Sequence, residues 1–174
     1  VISRHRNAEQ MRSASRLEIN YREIAHKIYQ MVATGEFPVP GSVYNSESAP
    51  RAGDGLIRLD ANGKILYSSP NARSALNRIG WSGEIIGAEL GELITSLGSE
   101  DKAPIYESWF DFFNSRQANR SEFENGLGTL DFLTIPLIEH GSATGAVILV
   151  HNITELRRRD KALISKDATI KEIH

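Results

Sequence analysis

The sequence predicts an α+β fold, with one five-stranded antiparallel sheet and short helices gathered on one of its faces. Three observations carry that expectation. Two short apolar runs, Leu56–Leu59 and Ile65–Ser68, flank Asp60-Ala61-Asn62-Gly63, where Asn-Gly supplies positive φ cheaply and marks a hairpin. Three further strand-like runs, 121–124, 130–139 and 143–151, crowd the C-terminal half. Between the two groups lie only helical patterns, and strands separated by a block of helices favour one antiparallel sheet over alternating βα units.

Taken in order, residues 13–34 place Leu17, Tyr21, Ile24, Ile28 and Val32 on one helical stripe. Ser13 or Ser15 can cap its start, and Gly35 with Pro38 and Pro40 ends it. Residues 36–54 are dense in Pro, Gly, Ser and Asn and read as a linker. After the hairpin, Pro70-Asn71 opens a short helix to Ile79, stopped by Gly80. A second short helix covers 90–97, before Gly98. The longest internal helix is expected over 101–118, with Ile105, Tyr106, Trp109, Phe112 and Phe113 on one side. Pro136 lacks an N–H, which argues for an edge or a bulge in the run 130–139. The run 143–151 is nearly all apolar and is expected at the centre of the sheet. In the last segment Leu156, Leu163 and Ile170 recur every seven residues, interleaved with Ile153, Asp160, Asp167 and His174. That is a heptad seam with polar members, the pattern of a coiled-coil helix whose polar positions lower stability and can fix register or permit switching.

Composition narrows the function. An apolar fraction of 40% and a charged fraction of 24% suit a soluble globular chain, and 174 residues suffice for one domain with flanking helices. A net charge of -2 leaves no basic footprint for direct nucleic-acid binding. Cysteine is absent, which excludes a disulfide framework and cysteine zinc sites and fits a reducing compartment. No apolar run approaches the about 20 residues needed to span a bilayer. The chain opens on Val1 and closes on Lys171-Glu172-Ile173-His174 inside a helical pattern, so it reads as a piece of a longer protein. His5, His26, His140, His151 and His174 show no i, i+3 or i, i+4 pairing, so no metal site is expected. Glu122 and Glu124 share a strand face without a nucleophile in the surrounding sequence, and no catalytic residue is assigned.

The stretch Gly55-Leu56-Ile57-Arg58-Leu59-Asp60-Ala61-Asn62-Gly63-Lys64-Ile65-Leu66-Tyr67-Ser68-Ser69-Pro70-Asn71-Ala72 resembles the opening of a PAS domain. The closing strand, running into Asn152-Ile153-Thr154, resembles the Asp-Ile-Thr with which many PAS domains end, with Asn in place of the Asp. The resemblance covers residues 53–155. The tail Lys171-Glu172-Ile173-His174 is similar to the start of the Glu-Ile-His-His-Arg-Val-Lys-Asn-Asn-Leu box of the second class of bacterial histidine-kinase dimerisation domains. In that box the phosphoacceptor is usually the second histidine, so His174 is not assigned as the accepting residue.

The resemblance as a whole is to the region between the GAF and kinase domains of an actinobacterial sensor histidine kinase. It implies the end of a GAF-like domain and a connecting helix over 1–35, with Val1–Arg4 as the tail of a GAF strand. The linker over 36–54, a PAS domain over 55–152 and a signalling helix over 153–174 would follow. It further implies a cytoplasmic homodimer and a response regulator as partner, of the RNA-binding ANTAR type. ATP and magnesium would belong to a kinase domain outside this chain, whose own sequence carries no Gly-rich phosphate loop. Flavin photochemistry of the LOV type needs a cysteine and is excluded. Haem is not expected, because residues 101–118 contain no histidine. The signal-relay residues are expected to be Asn152, Ile153, Thr154, Leu156, Asp160, Leu163, Asp167 and Ile170. A small-molecule ligand, if the domain senses one, would lie in an apolar pocket lined by Tyr67, Trp109, Phe113, Phe132, Thr134 and Ile148. The other reading is a filled core that dimerises and relays without sensing.

Overall fold

A computed structural model describes residues 2–41, 50–98 and 109–173, with backbone alone for residues 2–15, 110 and 169–173. Helix α1 (Ile2–Ala33) comes first, then strands β1 (Gly55–Asp60) and β2 (Ile65–Ser68). Helices α2 (Pro70–Arg78), α3 (Leu90–Ser96) and α4 (Trp109–Ser115) precede strands β3 (Asn119–Asn125), β4 (Gly128–Glu139) and β5 (Ser142–Asn152). Helix α5 (Thr154–Ile173) closes the order. The five strands form one antiparallel sheet in the order β2-β1-β5-β4-β3.

The hairpin forms as expected from its turn residues. Asp60 Oδ1 accepts from the N–H of Asn62 at 2.8 Å and of Lys64 at 3.0 Å, while Gly63 takes φ 80°. Strand β5 is central, as its apolar run predicts. Pro136 lies in the part of β4 beyond the end of β3, which reaches only to Thr134, and a register shift follows at Leu137/Ile138. The missing N–H therefore falls where β4 has a single strand neighbour.

One face of the sheet is covered by the short helices. Ile57, Leu59, Ile65, Phe123, Phe132, Ile148 and Val150 pack there against Leu76, Leu93, Ile94, Phe112 and Phe113. Part of the other face is also buried, and α1 covers that part. Ile24, Ile28 and Met31 lie over Leu56, Leu137, Ile138 and Val147, with Val39 and Phe37 from the segment after the helix. Ion pairs Glu23–Arg58 (2.5 Å) and Lys27–Glu139 (3.5 Å) flank this contact. Met31 Sδ accepts the N–H of Ile138 at 3.4 Å, beside the irregularity in β4. The stripe on α1 is thus partly a core face. Leu17, Tyr21 and Val32 remain about half exposed and continue it beyond the sheet.

Several boundaries differ from expectation. Residues Ile2–Arg4 are helical rather than the end of a strand, and Val1 lies outside the described residues. The described ends of the 36–54 segment are docked rather than free. Val39 is buried, Pro40 O accepts from Ala118 N at 3.1 Å, and Asp54 binds His151. Residues 99–108, expected to begin the long internal helix, lie outside the described residues. That helix ends at Ser115 rather than 118, because Arg116 adopts φ 52° and breaks the helical backbone. Strand β3 is longer than its apolar pattern suggests, since Arg120, Glu122 and Glu124 are polar positions on its solvent side.

Candidate functional site

The joint between β5 and α5 is fastened by several hydrogen bonds. Ile153 is buried, and its N–H donates to Thr129 O at 3.0 Å. Asn152 Oδ1 accepts from the Thr154 N–H at 3.1 Å and from its hydroxyl at 2.6 Å, and so fixes the first helical residue. Asn thus supplies the acceptor function needed at a helix start without a charge. Thr154 Oγ1 in turn accepts from Thr129 N at 3.0 Å. Arg157 N returns to Ile153 O at 2.9 Å, the first turn of α5. Gly128 permits this closeness, since a Cβ built there would stand 2.7 Å from Thr154 Oγ1 and 3.5 Å from Ile79 Cγ2.

Beyond the joint, α5 is held to the edge strand by charge. Arg157 forms a two-nitrogen ion pair with Glu122, and Nη1 also meets Asp160 at 3.0 Å. One turn on, Lys161 pairs with Glu124. The hydrogen bond to Glu122, more than any other influence, holds the Arg157 proton more tightly than usual. The two spacings match: two strand residues advance about 6.7 Å, and four helical residues rise about 6 Å. Turning α5 by about 100° would bring Arg158 and Ala162 to these places and keep one pair of the two. The edge strand therefore favours this rotational setting of the helix.

These pairs continue a charged row across the sheet. Glu122, Asp131 and His151 are cross-strand neighbours on β3, β4 and β5. Arg120 makes a forked pair with the buried Asp131 (2.9–3.1 Å), a bond that raises the Arg120 pKa. His151 Nδ1 lies 2.7 Å from Asp54 Oδ1, and Arg51 stands 3.4 Å from Nε2. The row links the segment ahead of β1 to the first turn of α5.

Of the expected relay residues, Asn152, Ile153 and Thr154 form the joint. Leu156 and Leu163 are exposed on α5, free to meet a second helix, and Asp160 is engaged by Arg157. Asp167 is exposed, while the side chain of Ile170 and residue His174 lie outside the described residues.

Of the expected pocket residues, Trp109, Phe113, Phe132 and Ile148 join the core on the helix-covered side. Thr134 is fully buried in the same cross-strand row as Ile57 and Ile148. Trp109 stacks on Phe113 at 5.8 Å and bonds Glu89, which caps α3 through the N–H groups of Gly91 and Glu92. Tyr67 does not belong with them. It packs in the outer cluster under α1, where burial raises its pKa. The cause is a bulge: Ile65 and Tyr67 oppose the consecutive residues Leu59 and Arg58, so Leu66 is extra and the strand changes face. The reading from sequence also missed Arg157, Glu122 and Glu124 as a unit. The shared face of the two glutamates was visible, but their partner helix was not.

Among the described residues no group of three or more His, Asp or Glu side chains could hold a metal ion, and no helix is long and apolar enough to cross a membrane. Two buried polar atoms among the described residues lack a hydrogen-bond partner, Ser68 Oγ and Trp81 Nε1.

No protein-family model matches the sequence. Over its whole length the chain is 42% identical to the sensor histidine kinase PdtaS of Mycobacterium tuberculosis and 36% identical to PdtaS of Mycolicibacterium smegmatis. It spans 36% and 35% of those proteins, about a third of their length. Among solved structures, the sensor region of a sensor histidine kinase matches 81% of this chain and 54% of its own, at 37% identity and a TM-score of 0.68. An RNA-binding light-oxygen-voltage receptor matches 75% of this chain and 40% of its own at 15% identity and a TM-score of 0.54, a likeness of fold alone.

Proposed function

This chain is a PAS-fold relative of the PdtaS sensor histidine kinases, and on that premise we propose that it relays a conformational signal from the PAS core through α5 into a kinase. The observation that carries the reading is the joint itself. Strand β5, the centre of the sheet, runs through Asn152-Ile153-Thr154 into α5 with one intervening residue. The helix start is bonded to β4, and its first turns are paired to β3. A shift in the sheet cannot leave the helix unmoved while those bonds hold. In the full protein α5 would join a parallel dimer through Leu156 and Leu163, with α1 contributing its uncovered residues. The kinase would pass phosphate to a response regulator, of the ANTAR type by resemblance, in the cytoplasm. Allostery in this sense requires two states that the input distinguishes.

The test is autophosphorylation of the full-length protein with Thr154→Ala or with the charge reversal Glu122→Arg. Either should change the phosphorylation rate at unchanged ATP affinity. Unaltered rates in both variants, with the fold intact by circular dichroism, would refute the relay.

A second reading, direct sensing of a small molecule, is favoured by one observation. The Ser68 hydroxyl, on the helix-covered side opposite Ile57, is buried without a partner. Such a group costs about 1–3 kcal/mol unless something satisfies it. The site would lie among Trp109, Phe113, Phe132, Thr134 and Ile148. Thermal-shift screening against small polar metabolites tests it: stabilisation in the native chain that is lost in Ser68→Ala supports sensing, and no stabilising compound argues for the relay alone.

A further inference from the structure

The relay needs a route from the helices to the joint, and one side chain spans it. Asn125 ends β3, and its amide uses all of its bonding capacity. Its Nδ2 donates to Ile79 O at 2.9 Å and to Leu97 O at 3.2 Å, the cap residues that close α2 and α3. Its Oδ1 accepts from Leu127 N at 2.9 Å and from Gly128 N at 3.2 Å. The last carbonyls of a helix have no partner inside it, so each helix end gains from this single amide what its own turn cannot supply. Gly128 is the residue whose missing Cβ admits Thr154 Oγ1, and Ile79 approaches the same point. The ends of two helices, the β3–β4 turn and the first residue of α5 therefore meet around one amide.

We propose that Asn125 is the positioning residue through which α2 and α3 set the start of α5. The proposal deepens the relay reading and rests on it, but its geometry is local to this chain. A displacement of either helix end moves the Asn125 amide. The amide carries the Leu127 and Gly128 N–H groups with it, and Gly128 bears on Thr154. No other residue type of this size offers two donors and a twofold acceptor, so neither Asp nor Ser replaces it.

The experiment uses this chain and nuclear magnetic resonance. Glu89→Ala removes the cap of α3 about 12 Å from Leu97, by the rise of eight residues. It should displace the amide signals of Gly128 and Thr154 and the side-chain NH₂ signals of Asn125. In an Asn125→Ser or Asn125→Asp background the displacement at Thr154 should fall about threefold or more, a loss of coupling rather than of stability. A merely structural Asn125 would lower stability and leave the displacement at Thr154 in place, and that result overturns the proposal. If neither variant folds, the native background still decides: Asn125 NH₂ signals unmoved by Glu89→Ala overturn it, and movement together with Gly128 and Thr154 sustains it. None of these readouts involves a kinase, so failure here and failure of the relay in the full protein are separate results.

Discussion

Gly128→Ala is the sharpest single perturbation of the output joint. The new Cβ would lie 2.7 Å from Thr154 Oγ1 and 3.7 Å from Thr154 Cγ2, while the backbone at 128 needs no left-handed φ. The strain is therefore steric and confined to one contact. Forcing a methyl group into a filled site costs about 1–3 kcal/mol. Displacing Thr154 Oγ1 endangers its bonds with Thr129 N and Asn152 Oδ1, each worth about 1 kcal/mol net. The expected loss is about 2–3 kcal/mol, which lowers Tm by roughly 5–10 °C for a chain of this size. Thr154→Ala alone removes both bonds and should cost about 2 kcal/mol. The double variant tests the geometry: with Oγ1 gone, the added methyl has room, and the two costs should fall short of their sum by about 1 kcal/mol or more. Urea unfolding of the four proteins measures this. Strict additivity would refute the claim that Gly128 is required by Thr154.

Other expectations follow from the same neighbourhood. Asn152→Asp keeps the acceptor for Thr154 and adds a negative charge at a helix N-terminus, so it should stabilise by about 0.5 kcal/mol, whereas Asn152→Ala should cost about 1 kcal/mol; thermal melts decide both signs. Arg120→Ala strands the buried Asp131 and should cost about 3 kcal/mol, while Lys161→Ala breaks an exposed pair and should cost under about 1 kcal/mol. Equal losses in denaturant titrations would contradict the difference in burial. Burial, then the neighbouring Tyr21, raises the Tyr67 pKa above its ordinary 10.0. The folded state then keeps a proton that the unfolded state gives up. That contribution is intact below pH 10.0 and is lost as pH rises through the folded value. Tyr67→Phe should flatten the alkaline limb of the stability curve, and an unchanged limb would refute the assignment.

The parts of the fold legible in the sequence are those fixed by neighbours. The turn at Asp60–Gly63 is written in its own residues, and the apolar run of β5 needs no partner to be read. The output joint was legible as a chain position, because Asn152-Ile153-Thr154 lies between a strand pattern and a heptad. Its fastening was not. Asn125 reaches carbonyls 46 and 28 positions away, and Arg157 reaches Glu122 across 35, separations at which periodicity carries no information. The side of the sheet that Tyr67 faces is set by the extra residue Leu66 in β2, and a bulge of one residue leaves no mark in so short an apolar run. The stripe on α1 was visible, but a stripe does not say whether it meets a sheet or a second helix.

The seating of α1 bears on where this unit can be cut and joined. A boundary drawn at residue 55 follows the sequence pattern of the domain, yet it would strip the cover from Leu56, Leu137, Ile138 and Val147. A fragment trimmed there would carry a bare apolar plane and a tendency to associate. A chimaera that borrows this sheet should therefore borrow the helix before it as well. The transplantable piece is a sheet with a lid on each side, and its upstream lid is contributed by a segment that looks, in sequence, like mere connection.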